Sequence, residues 1–509
     1  MMNDQHPIDP QVIARLPASA GRQLLRYALE QPAPRESRRI FVNRTLRMES
    51  IRYVGFDLDW TLAAYHQDAL SQLAFELTLE RLVERHDYPR EVLKAEYRAD
   101  FTRRGLIVDT EAGTVLKMNR HRYVGRAYLG RHFLDGAERA RLYRREPINP
   151  ASARFSIVDT LFELPEVNIF AELVEASRRR PRLTLPSYAR LAKDIRTAID
   201  SVHADGTLKR RVLADLGRYL PVDPELALAL RRLALGGRKL MLITNSEWFY
   251  TDALCRHLFD GVLPGLSSWR TIFDLVVVDA RKPGFFRRQR PFVALDERGQ
   301  PREEVALPAW GGLYSGGSRE GLMQLIDGQG EEVLYVGDHI YGDILSTKLA
   351  STWRTCLVVS ELEEELETLR GLSAQLRVME ALRTELADLG GRMDDLRDVL
   401  TLYRELTDDG SESAAADPAV VKTQALIDDL HAEHRGLRQH TRRVQRRISV
   451  ALNPYWGSLF KQGSNKSFFG AQVDDFACVY TSRVSNFAAY GSNHYFRVLR
   501  DAMMHDWVV

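Results

Sequence analysis

Three cysteines in 509 residues, Cys255, Cys356 and Cys478, are too few and too widely spaced for a disulfide framework or a zinc site. They are expected to be reduced, packed thiols. No apolar run reaches membrane-spanning length, so no transmembrane helix is expected. The first residues carry Asp4 and Asp9 and no apolar stretch, unlike a secretory signal. Excess charge is missing too: 71 Lys and Arg against 69 Asp and Glu leave a net +2, which gives no overall footprint for nucleic acid. These absences predict a cytoplasmic protein with neither membrane nor nucleic acid as a partner. Internal repeats and long low-complexity tracts are lacking as well. The 45% hydrophobic and 28% charged residues are those of a globular chain, long enough for one core domain with an insertion and appendages.

Against this background, four segments stand out, each closing an apolar run. Ile51–Phe56 reads as a buried strand and ends in Asp57-Leu58-Asp59-Trp60-Thr61. Two carboxylates one residue apart would be costly as packing elements. In an extended segment both can face one crevice, where one attacks phosphorus and the other moves a proton. Lys239–Ile243 ends in Thr244-Asn245-Ser246, short side chains suited to phosphate oxygens or to an ordinary helix cap. Phe273–Asp279 leads into Ala280-Arg281-Lys282-Pro283, whose lysine can neutralise a nucleophile and a transferring phosphoryl group. Glu332–Val336 runs into Gly337-Asp338-His339-Ile340-Tyr341-Gly342-Asp343, two acids in a glycine-punctuated turn that suit an oxygen-ligated Mg2+. His339 reads as structural, because Mg2+ prefers oxygen.

In order and spacing these segments resemble the haloacid dehalogenase superfamily of phosphotransferases. Within it the chain is similar to the cytosolic purine 5'-nucleotidases, which prefer IMP and GMP. Phe41-Val42-Asn43-Arg44, Tyr314-Ser315-Gly316-Gly317-Ser318, Gly457-Ser458-Leu459-Phe460, Ala471-Gln472-Val473 and Tyr480-Thr481 extend the resemblance from about residue 38 to beyond 480. It implies Asp57 as the nucleophile that forms an aspartyl-phosphate and Asp59 as the acid and base, its backbone carbonyl also meeting the metal. It further implies Thr244, Asn245 and Ser246 at the phosphate, Lys282 as the neutralising lysine, and Asp338 and Asp343 with Asp57 at Mg2+.

Residues 106–228 lie between the first two motifs, where this superfamily inserts a cap. Arg196, Asp200 and His203 stand at helical i, i+4, i+7 spacing, which alone describes a solvated face. The resemblance makes them, with Lys209, the residues that hold base and phosphate. It also implies an aromatic residue followed by Asn where the base stacks; Arg131-His132, followed by Phe133, is aligned there. Tyr341 and Lys348 match an effector pocket of relatives, but Leu349 takes the place of its second lysine, so ATP activation is not expected.

From Leu362, apolar residues recur in steps of three and four through Leu366, Leu369, Leu372, Leu376, Met379, Leu382, Leu386, Leu389, Met393, Leu396, Leu400 and Tyr403, a coiled-coil seam that Gly390-Gly391 is expected to bend or interrupt. Residues 408–413 read as a loop. A second helix is expected from about Pro418 to Val450, with Leu426, Leu430, Leu437, Val444 and Ile448 on one stripe. The pair reads as a hairpin packed on its own domain or as an oligomer contact, since relatives form dimers or tetramers. Arg435, Arg438, Arg442, Arg443, Arg446 and Arg447 form a basic run on it.

The expected architecture is an α/β Rossmann-like haloacid dehalogenase core (38–105 and 229–361) with an inserted α+β cap (106–228). An N-terminal extension (1–37), a helical hairpin (362–450) and a C-terminal segment packing on the core (451–509) complete it. The expected activity is Mg2+-dependent hydrolysis of purine nucleoside 5'-monophosphates, with transfer to a nucleoside acceptor as a second outcome. The alternatives are a phosphatase of the same mechanism acting on a sugar phosphate or pyrimidine nucleotide, and a non-catalytic assembly protein.

Overall fold

A computed structural model describes residues 36–144, 146–180, 183–407 and 417–498. The chain forms two compact units, Met1–Glu363 with Leu459–Val509, and Glu364–Ser458. The centre of the first is a ten-stranded sheet. Seven of its strands run parallel: Tyr53–Phe56 (β1), Lys239–Ile243 (β2), Leu275–Val278 (β3), Leu313–Gly316 (β4), Val333–Gly337 (β5), Arg354–Val358 (β6) and Val479–Thr481 (β7). Their order across the sheet is β7-β6-β5-β1-β2-β3-β4, with antiparallel Phe41–Val42 on one edge and Phe292–Leu295 and Pro301–Val305 on the other. The inner strands are apolar at nearly every position because both faces are covered, as parallel sheets require.

After β1 the chain steps outward through β2, β3 and β4, then returns to place β5 on the other side of β1. A crevice opens at such a reversal, outside the carboxyl ends of the strands. Asp57, Thr244, Asp279 and Asp338 are the residues that immediately follow β1, β2, β3 and β5. Each apolar run therefore ends where the crevice begins. This is the Rossmann-like α/β core.

The insertion begins with a five-stranded antiparallel sheet: Ile107–Asp109, Thr114–Met118, Val124–Leu129, His132–Phe133 and Phe155–Ile157. Ile107, Leu116, Met118, Ala127 and Leu134 form its core. Helices follow. Gln67–Arg85 (α1) packs with Leu164–Arg179 (α2), Tyr188–Ala204 (α3) and Thr207–Ala214 (α4). The α3 helix starts at Ser187, whose hydroxyl accepts from the Arg190 amide, and it buries Leu191, Ile195, Ala198, Ile199 and Val202 at three- and four-residue steps.

The second unit is built on Ser373–Thr407 (α5) and Pro418–Leu452 (α6). Leu389, Met393 and Leu430 form its buried core, with Leu396 and Leu437 against them. Two expectations need correction. The α5 helix runs unbroken through Gly390-Gly391, because Leu389 and Met393 on either side are held by tertiary packing that outweighs roughly 1 kcal/mol of helix propensity per glycine. Leu426 is 45% exposed, and its neighbour Ile427 is buried instead. The six arginines of the basic run are all exposed. The loop expected at 408–413 lies outside the described residues. Among those described, no helix is long and apolar enough to cross a membrane.

Candidate active site

Asp57 leaves β1 with its amide bonded to the carbonyl of Val336 on β5, so the two strands hold it between them. Lys282 reaches the same point from the loop after β3, with Nζ 2.8 Å from Asp57 Oδ1 and 2.8 Å from Asp343 Oδ1. Its ammonium also donates to the Tyr335 hydroxyl at 3.1 Å, and that hydroxyl donates to the Ile243 carbonyl. Tyr335 crosses beneath β1 only because residue 55 is glycine: a Cβ there would stand 2.9 Å from the tyrosine ring. Asn245 pins the lysine's own peptide from both sides, its Nδ2 giving to the Lys282 carbonyl at 3.1 Å and its Oδ1 taking from the amide at 2.6 Å. Trp60, Asp279 and Arg281, all in these loops, hold positive φ angles of 57°, 48° and 56°.

Asp57, Asp338 and Asp343 are buried and bring carboxylate oxygens within 4.8 Å of one another. Burial pushes Asp57 up to about 7, against the pull of Lys282, and holds Asp338 well above the usual carboxylate range. For Lys282 burial disfavours the charge, yet Asp343 and Asp57 outweigh it and hold the ammonium well above its ordinary value. Three carboxylates therefore surround a single ammonium, and Asp338 Oδ2 is buried with no hydrogen-bond partner. An all-oxygen donor set with surplus negative charge fits a divalent hard cation such as Mg2+. These three residues can hold one.

Asp59 does not join that cluster with its side chain. Its Oδ1 accepts from the Tyr65 hydroxyl and its Oδ2 from the Ser246 hydroxyl, both at 2.6 Å. The hydroxyl of Thr244 accepts from the Ser246 amide at 3.1 Å. Arg104 was not singled out in the sequence. Its guanidinium is fully buried, forms two hydrogen bonds with Glu361 and gives a third, at 2.8 Å, to the carbonyl of Asp338. This fixes the backbone of the acidic loop from the side on which the chain leaves for the cap. No local pattern marks such a pair, since its members stand 257 residues apart.

The cap brings a second group of residues near Asp59. Thr160 caps a single turn, Leu161–Glu163, ahead of α2. This turn sets the Phe162 ring 6.0 Å from Trp60 and 5.5 Å from His203. Arg196 Nη2 lies 3.0 Å from Glu163 Oε1 and 2.8 Å from Glu166 Oε2. Burial and the nearby Lys209 charge push His203 down to about 4, so the ring is neutral at pH 7. Lys209 pairs with Glu247, its Nζ 5.3 Å from the centre of the Tyr250 ring. Asp200 is exposed one turn beyond Arg196 on α3.

Arg131 and His132 do not belong to this group. Arg131 pairs with Glu172, its amide donates to Glu175, and His132 Nε2 lies 3.2 Å from Glu138. Glu172 and Glu175 stand nine and twelve residues along from Glu163, which puts Arg131 about 15 Å away at the helical rise. The aromatic-then-polar pair beside His203 is Phe162-Glu163. Its signal in the sequence was the capped turn just before Leu164-Pro165.

Comparisons with known proteins find relatives in sequence and in structure. A 5'-nucleotidase domain-containing protein of Dictyostelium discoideum is 26% identical over 460 residues, spanning 89% of this chain and 72% of that protein. Among solved structures, a predicted phosphoglycolate phosphatase from Haemophilus somnus covers 61% of this chain and 86% of its own, at 13% identity and a TM-score of 0.26. The magnesium-bound HAD-hydrolase YfnB from Bacillus subtilis covers 60% of this chain and 86% of its own, at 16% identity and a TM-score of 0.20. The fold assignment stands on the strand order and the family match, not on these two scores. The 5' nucleotidase family model matches residues 40–508, so the chain belongs to that family and is a phosphomonoester hydrolase.

Proposed function

We propose that the chain is a Mg2+-dependent 5'-nucleotidase that hydrolyses purine nucleoside 5'-monophosphates through an aspartyl-phosphate on Asp57. The observation that carries this reading is the buried Asp57 carboxylate, 2.8 Å from Lys282 at the mouth of the crevice, with Asp338 and Asp343 beside it. In the first half-reaction an Asp57 oxygen bonds to phosphorus as the bond to the nucleoside 5' oxygen breaks. Asp59 gives its proton to that leaving oxygen. In the second, Asp59 takes a proton from water, the water oxygen bonds to phosphorus, and the Asp57–phosphorus bond breaks to release phosphate.

Asp57, Asp338 and Asp343, with the Asp59 carbonyl, would hold Mg2+, which when bound neutralises phosphoryl charge. Lys282 neutralises phosphoryl charge as well and keeps Asp57 aimed. Thr244 accepts from Ser246 and keeps its own proton for a phosphoryl oxygen. Lys209 turns from Glu247 to the phosphate as substrate enters. A nucleoside hydroxyl that reaches the aspartyl-phosphate before water receives the group, making phosphotransfer a secondary activity. We place the protein in the cytoplasm, where its three free, buried thiols stay reduced.

The test is phosphate release from IMP, GMP, AMP, UMP and a sugar phosphate with Mg2+ and with EDTA. Turnover of the purine nucleotides that EDTA abolishes is the expected result. Turnover confined to the sugar phosphate, or indifferent to EDTA, would overturn the reading.

A further inference from the structure

Both oxygens of the Asp59 carboxylate accept from hydroxyl groups, and the two donors differ in what stands behind them. The loop after β1 folds back on itself, with the amides of Thr61, Leu62 and Ala63 all donating to the Leu58 carbonyl at 3.2, 2.9 and 2.8 Å. Tyr65, six residues beyond Asp59, is thereby returned to it, its ring edge-on to Trp60 at 5.1 Å between centres. The Tyr65 hydroxyl donates to Asp59 Oδ1 at 2.6 Å and lies 3.0 Å from the hydroxyl of Tyr250, in the helix Trp248–Phe259. Both phenols are buried. On the other side Ser246, in the loop after β2, donates to Oδ2 at 2.6 Å.

A phenol has one hydrogen to give. Among the described residues the Tyr250 hydroxyl has no partner but Tyr65, so its hydrogen goes to the Tyr65 oxygen and the Tyr65 hydrogen goes to Asp59. Burial and the Asp59 charge raise both phenols above their ordinary range, so both keep these hydrogens. A proton on Oδ1 would require both hydroxyls to turn together and would leave the buried Tyr250 hydrogen without an acceptor. Ser246 has no such backing. Its hydroxyl has no second partner among the described residues and turns about a single bond. Oδ2 is therefore the oxygen that can carry and pass a proton, and it faces the loop that holds Thr244.

We propose that Tyr65, backed by Tyr250, is a positioning residue that reserves Asp59 Oδ2 for proton transfer. In the first half-reaction the Oδ2–H bond breaks as that hydrogen bonds to the leaving oxygen. In the second an O–H bond of water breaks and Oδ2–H forms again. Tyr65 keeps its own hydrogen throughout. The assignment rests on the acid and base role given to Asp59 above, and goes beyond it in naming the oxygen that acts and the residues that select it.

The experiment is kcat/KM with Mg2+ for phenyl phosphate, para-nitrophenyl phosphate and IMP, in the natural protein, Tyr65→Phe, Asp59→Asn and the double variant. This parameter covers the steps up to departure of the leaving group. Para-nitrophenolate leaves as a stable anion and needs little help from an acid, whereas phenolate and the nucleoside oxygen need it. Tyr65→Phe should lower kcat/KM about tenfold or more for phenyl phosphate and IMP, and no more than about threefold for para-nitrophenyl phosphate. In the Asp59→Asn background the same change should add no further loss. An equal fall on both aryl phosphates shows a merely structural tyrosine and overturns the assignment. So does an unchanged rate on phenyl phosphate, or a loss that persists in full without Asp59. An Asp59→Asn protein as active as the natural one removes Asp59 as the acid, and the assignment with it. Turnover of the aryl phosphates without IMP removes the nucleotidase reading alone, and the aryl pair then decides on Tyr65. Turnover of IMP alone leaves the decision to the double-variant comparison on IMP.

Discussion

Two clusters in the first unit set several carboxylates around one cation, and they resolve the same imbalance in different ways. In the crevice, Asp57, Asp338 and Asp343 surround Lys282, and all four are fixed by strand ends, by Asn245 and by Arg104. In the cap, Glu163, Glu166 and Asp200 surround Arg196 from a one-turn helix and two longer ones, with the arginine side chain 38% exposed. The crevice has no slack, and its surplus charge suits an ion of fixed valence. The cap has slack, and there burial lifts Glu166 to about 8, as it lifts Asp57 to about 7 in the crevice. On the proposed reading, chemistry that must not vary would sit on the rigid cluster, and recognition that must adapt to a ligand on the soft one.

The comparison can be broken most severely at Asp57. Asp57→Asn should lower phosphate release by roughly 10^4-fold or more, about 5 kcal/mol at the barrier, while circular dichroism stays unchanged. Removing one of three crowded carboxylates relieves repulsion, so thermal stability should not fall. Retained turnover in the folded variant would exclude the covalent route. Lys282→Met tests the opposite sign. It leaves three buried carboxylates without their ammonium, which should cost about 3–5 kcal/mol in a denaturant titration without divalent cation. Added Mg2+ should restore part of that loss.

Both clusters should respond to pH, and the cap can be probed without touching Asp57. Glu166 has a folded value raised above its unfolded one, so the folded state binds the extra proton between about 4.5 and about 8. Stability from this group therefore falls as pH rises through that window. Glu166→Gln should flatten the fall, gaining roughly 1–3 kcal/mol over the natural protein at pH 9 relative to pH 5. A parallel pair of stability curves would show that Glu166 is ionised throughout. The smallest contrast lies in the second unit. Leu430→Ala should cost about 2–3 kcal/mol of helix-hairpin stability, and Leu426→Ala no more than about 0.5 kcal/mol.

Much of the crevice was legible in the sequence because a parallel strand covered on both faces must be apolar throughout. The abrupt change from Phe56 to Asp57, or from Gly337 to Asp338, then marks the carboxyl end of the strand. The cap was less legible. An aromatic residue beside a polar one fits both 131–133 and 162–163, and only the placement of α2 separates them, its start near His203 and its far half near Arg131. Spacing put Arg196, Asp200 and His203 on one helix but could not show that Glu163 and Glu166 would claim the arginine. The seam was read correctly in period and misplaced by one residue at Leu426, because several i, i+3, i+4 paths run down α6 and only the partner helix selects among them. Arg104 and Glu361 had no signal at all, being joined by topology alone.

Gly55 has no functional group, yet it decides where Tyr335 can lie, and Tyr335 meets the Lys282 ammonium from below. Any side chain at residue 55 displaces that ring and with it the lysine that faces Asp57. Among natural variants of this chain, an alanine at this silent position inside a strand would therefore present as a loss of enzyme activity. A survey that scores positions by their chemistry would pass over it.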